Sequence, residues 1–139
     1  MISNASKIIC GISLIAVPVI EYGGVYLLRV LLLREDRFRD NPARQTLSRA
    51  AHAHAGVLLL LSLICQILVD STNLPQALSW FVRIGVLIGS VLVPLGLLLS
   101  TGSPPSEQPE GALQLVFSGD FILAISLLTL GGGLLFAAI

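Results

Sequence analysis

Four ionisable side chains stand inside or at the edge of apolar stretches of this sequence: Glu21, His52, His54 and Asp120. An ionisable group placed in hydrocarbon is costly, which makes each a first candidate for ligand binding or proton transfer. Histidine with a carboxylate is also a pairing that binds transition metals, the carboxylate serving either as a ligand or as the group that orients the imidazole. Glu21 is the deepest of the four. Its side chain is too short to reach the surface, so it must be neutral, paired or facing water.

Helical geometry sorts the rest. A two-residue step turns a helix by about 200°, so His52 and His54 point to nearly opposite sides. His52 shares its stripe with Gly56, Leu59, Leu63, Gln66 and Asp70, whose small and polar members suit a bundle interior. His54 shares its stripe with Leu58, Leu61 and Cys65, a face for lipid, a neighbouring helix edge or another subunit. Asp120 lines up with Ala124, Leu127 and Gly131, and Glu21 with Gly24 and Leu28. The expected site is therefore Glu21, His52 and Asp120, the three candidate metal ligands, supported by His54 and Arg29. Each also has a plainer reading: His54 as a headgroup contact, His52 as an interhelical hydrogen bond, Asp120 as a surface residue if its helix starts at Phe121.

The elements that must hold these residues are membrane helices. Of 139 residues, 55% are hydrophobic and 12% charged, and the mean hydropathy is +0.91. Such a composition is unsuited to a water-soluble fold. Spanning helices of about 20 apolar residues are expected at about 8–33, 80–100 and 112–138. Another is expected over 42–69, with its membrane part at 50–69. The fold class is all-α, a single bundle of four transmembrane helices. Only Lys7 precedes the first run and no cleavage motif follows it, so that run reads as retained rather than as a signal peptide. Cys10 and Cys65 fall inside spans, where thiols are inert and imply no disulfide framework.

Net charge is zero, yet Arg34, Arg37, Arg39, Arg44 and Arg49 all lie between the first two spans. Positive loops stay in the cytoplasm, so the 34–49 loop should be cytoplasmic and both termini outside, in a multi-pass protein of the cell membrane. Asp40-Asn41-Pro42 is a good helix start, with a capping side chain before a proline at the first helical position. Arg44 and Arg49 then meet lipid headgroups. Asp70 to Pro75 reads as a polar turn, and 101–111 as a Pro- and Gly-rich link. Gly85, Gly89 and Gly96 share one face of the third helix and read as close helix packing.

The segment Ser48-Arg49-Ala50-Ala51-His52-Ala53-His54-Ala55-Gly56-Val57 resembles the start of the haem-ligating second helix in subunit I of haem-copper oxidases and nitric oxide reductases, where an Arg-x-x-His pattern precedes an apolar helix. It is closer to small uncharacterised bacterial membrane proteins with an Arg-x-x-His-x-His motif. The resemblance covers about ten of 139 residues, and it implies haem b, or a divalent transition metal, with His52 as axial ligand. This chain has only two histidines. The resemblance thus implies an open or non-histidine sixth position, or one histidine from each of two chains.

Three functions remain open from the sequence. The first is haem or metal binding by His52 with Glu21 or Asp120. The second is proton-coupled transport of a small compound by Glu21, a layout similar to the small multidrug resistance proteins. The third is a non-catalytic subunit or assembly factor of a larger membrane complex, or a homo-oligomer. Enzymes with a nucleophile are the least favoured class, because no nucleophile-elbow context is present. Nucleic acid is disfavoured as a partner, since Glu35, Asp36 and Asp40 lie among the arginines beside the bilayer.

Overall fold

The structure is a computed structural model that describes residues 2–33, 42–101 and 110–139. It contains four helices in chain order: α1 (Asn4–Leu32), α2 (Pro42–Val69), α3 (Gln76–Leu99) and α4 (Glu110–Ala137). All four are long and apolar enough to cross a membrane, and no strand occurs among the described residues. The chain is an all-helical, multi-pass membrane protein. The expected Asp40-Asn41 cap, the arginines at 34, 37 and 39, and most of the link at 102–109 lie outside the described residues.

Local chemistry accounts for the observed ends. Ser3 caps α1, its hydroxyl accepting from the Ser6 amide at 3.2 Å, which starts the helix four residues ahead of Ile8. Pro42 opens α2, a position where its missing N–H costs nothing. After Val69 the chain turns, with the Ser71 amide donating to the Leu68 carbonyl and the Thr72 amide to that of Val69. Pro75 sits just ahead of α3, which begins at Gln76, four residues before the expected Trp80. Pro18 and Pro94 are carried inside continuous helices, as neighbouring helices allow in membranes.

Helix α3 is the centre of the packing. It packs on both α2 and α4, whereas the α1 backbone packs on α2 and meets α3 only through the Arg83 side chain at Ser6. The core cluster is built from Cys65 and Val69 of α2, Val82 and Val86 of α3, and Leu123 and Leu130 of α4. Between α3 and α4 the backbones approach closely. A Cβ at Gly96 would lie 2.7 Å from the Ala112 carbonyl oxygen, and one at Gly89 would lie 2.9 Å from the Leu123 Cβ. Small residues permit that approach, and van der Waals contact then holds the pair.

Helix α1 differs sharply, since 11% of its apolar span is buried against 50% for α3. Ile12, Ile15, Val19, Val25 and Leu32 all point outward. What it turns toward α2 is mostly small or polar: Ser6, Ser13 and Gly24, with Ile9 and Val30. Helices α1 and α2 run antiparallel, Ser3 meeting Asp70 at one end and Gly24 meeting His52 nearer the other. Gly133 of α4 meets Leu74 at the first of these ends, so α1 begins where α4 finishes. These are named below the serine end, after Ser3 and Ser6, and the arginine end, after Arg29, Arg44 and Arg49.

Candidate functional site

Counting along each helix puts the candidate residues at one level. Glu21 lies 11 residues before Leu32, His52 ten after Pro42, and Asp120 ten after Glu110, or about 15–17 Å from the arginine end at 1.5 Å per residue. His54 lies about 3 Å further in. Their directions differ.

Glu21 is exposed on α1, one turn before Gly24, and has no hydrogen-bond or ion-pair partner among the described residues. Asp120 is likewise exposed and unpartnered on α4, a helix that makes no contact with α1. Arg29 is exposed in the last turn of α1. No hydrogen bond or ion pair joins any two of the five expected site residues. Among the described residues no three His, Cys, Asp or Glu side chains are grouped so as to hold a metal ion.

The two histidines have contrasting surroundings. His52 is half-buried against α1, with its Cε1 and Nε2 each 2.7 Å from where a Cβ on Gly24 would stand. Glycine is what admits the ring. His54 is exposed, and its Nδ1–H donates to the Ala50 carbonyl at 2.7 Å. With Nδ1 held by that bond, Nε2 is the ring nitrogen turned outward, the position from which a histidine so oriented coordinates a metal. The rest of its stripe behaves otherwise: Leu58, Leu61 and Cys65 belong to or pack against the core cluster that α2 shares with α3 and α4. His54 therefore stands where a core stripe runs out at the arginine end. Asp120 stands the same way on α4, three residues before buried Leu123 and seven before Leu127, which packs on the same cluster.

The densest polar arrangement in the described residues lies at the serine end. Arg83 of α3 is 5% exposed. Its Nη2 donates to Asp70 Oδ1 at 2.5 Å and to Ser3 Oγ at 3.4 Å. Its Nη1 donates to Ser6 Oγ at 2.5 Å, to the Gln66 carbonyl at 3.1 Å and to Gln66 Oε1 at 3.2 Å. Asp70 Oδ2 accepts from the Ser3 amide at 2.8 Å. Gln66 Nε2 donates back to the Arg83 carbonyl at 3.2 Å, and the Ser6 hydroxyl donates to the Gln66 carbonyl at 2.8 Å. Burial works against the Asp70 carboxylate, but hydrogen bonds from the Ser3 amide, the Ser6 and Ser3 hydroxyls and the Arg83 guanidinium outweigh it. They hold the carboxyl well below the usual range.

This cluster ties α1, α2 and α3 together and is internally satisfied, which is the condition for a buried ion pair to be tolerated. From the sequence, Asp70 reads as a turn residue and Arg83 only as a lone base after the turn. The signal available was their number: an isolated acid ends one apolar run, and an isolated base lies just inside the next. No family model, curated protein or solved structure matches the chain.

Proposed function

We propose that this chain is a non-catalytic membrane subunit, working in assembly with another membrane protein chain that covers the outer flank of α1. The observation that carries this is Glu21, exposed and unpartnered on a helix whose backbone packs on α2 alone, about 16 Å in from the helix end. A carboxyl group at that depth is costly against lipid tails and is accommodated by a hydrogen-bonding or cationic group on a neighbouring helix. The serine-end cluster supports the same reading, because it anchors one end of α1 while the rest of that helix stays free to receive a partner. The arginine bias places the arginine end, and Glu21 with it, in the cytoplasmic half of the cell membrane. Extraction in a mild detergent should recover the chain in fixed ratio with a protein neighbour, and the Glu21→Leu variant should lose it. A monomer in both preparations would count against the reading.

A second reading is favoured by His54. Its pinned Nδ1–H and outward Nε2 suit it to ligate haem b or a divalent transition metal, with Asp120 as a candidate carboxylate. His52 has its Nε2 edge turned onto α1, which suits an interhelical contact instead. Purified protein should then show a Soret band or bound metal that His54→Ala removes and His52→Ala spares. A colourless, metal-free protein that takes up neither added haem nor divalent metal would refute this role. Proton-coupled transport by Glu21 remains the third reading, tested by whether Glu21→Gln abolishes proton-linked uptake in vesicles.

A further inference from the structure

Two buried hydroxyls, one on α1 and one on α2, lack partners: Ser13 at 1% exposure and Ser62 at 0%, neither making a hydrogen bond among the described residues. Several other hydroxyls of these helices discharge to their own preceding turn, while that of Ser6 donates across to the Gln66 carbonyl. Ser126 donates to the Ile122 carbonyl at 2.8 Å, Thr129 to that of Ile125 at 2.8 Å and Ser100 to that of Gly96 at 2.8 Å. Ser13 and Ser62 depart from that habit, and a buried hydroxyl without a partner is destabilising.

The antiparallel register brings the two close. Ser6 meets Gln66, and Gly24 meets His52. Interpolating between those contacts, Ser13 comes level with residues 60–61 of α2, within about 1.5–3 Å of Ser62 along the axis. Both lie on the stripes that make the interface. Ser13 is seven residues beyond Ser6 on α1, and Ser62 is one turn before Gln66 on α2. One water bridges two oxygens up to roughly 5.6 Å apart, so the axial offset leaves room for a bridge where the two side chains turn toward one another.

We propose that Ser13 and Ser62 hold one buried water between α1 and α2, in a closed site separate from the serine-end cluster. Each hydroxyl bonds the water, whose remaining valences reach the second lone pairs of nearby helix carbonyls, giving it the two to four partners a buried water requires. Two helical turns, about 10 Å, separate Ser13 from Ser6. The Ser13 hydroxyl therefore lies clear of Ser6 and the Arg83 guanidinium.

A substitution cycle and a direct observation test this. Ser13→Ala and Ser62→Ala should each lower the thermal midpoint of the full chain in detergent, since each strands the water and the other hydroxyl. The double variant should fall no further than the lower single. Singles that leave the midpoint unchanged or raise it, with effects that add in the double, would show a dry interface and overturn the proposal. In the unmodified protein, rotating-frame NMR should give water cross-peaks to the Ser13 and Ser62 amides that are absent at Ser126. Their absence would overturn it independently of how the variants fold.

Discussion

At the scale of single residues, the serine-end cluster makes the sharpest demands. Arg83 and Asp70 are both largely buried, with side chains 6% and 11% exposed, so removing either leaves the other as an uncompensated charge. Arg83→Ala and Asp70→Ala should each cost about 3–5 kcal/mol. The double variant should cost less than their sum, because the two residues act as one unit. Denaturant titration in micelles reads both. The Asp70 carboxyl also makes stability depend on pH. Its folded pKa is lowered, so its contribution is fully present above the unfolded value of about 3.9 and is lost as pH falls through and below it. The thermal midpoint should hold between neutrality and about pH 5, then fall in acid, with a shallower fall in Asp70→Asn. None of this pairing was legible in the sequence, because Asp70 and Arg83 stand on different helices across a turn. Only the packing of α3 on α2 brings them together.

At the scale of elements, the apolar runs located all four helices, and Pro42 and Asp70 bounded α2 at the residues observed. Starts were read late where the first turn is polar. Asn4 to Lys7 belong to α1 because Ser3 caps them, a contact that hydropathy does not register. The third helix was expected to be packing surface and is that, with glycines against α4, yet it also carries Arg83. Close contact makes the glycines unequal. Gly96→Val, directed at the Ala112 carbonyl, should destabilise by a few kcal/mol, whereas Gly131→Val, with open space around it, should change little. Gly24 tests the α1–α2 contact. A Cβ there would meet the His52 ring at 2.7 Å, so Gly24→Ala should lower the unfolding midpoint, and adding His52→Ala should recover most of the loss.

At the scale of the whole molecule, the helices form a three-helix unit with α1 attached along a seam of small and polar residues. Periodicity could put Glu21, His52 and Asp120 each on a stripe with small neighbours. It could not say which way each faced, since direction depends on which helix pairs pack. With α1 and α4 apart, Glu21 and Asp120 turn outward, which is what the proposed partner would meet. The central claim is that a protein covers Glu21, and in-membrane photocrosslinking is its most direct test. A benzophenone side chain at Val25, one turn from Glu21 and exposed, should give one discrete protein adduct in native membranes, which Glu21→Leu abolishes. Lipid adducts alone, unchanged by Glu21→Leu, would contradict it.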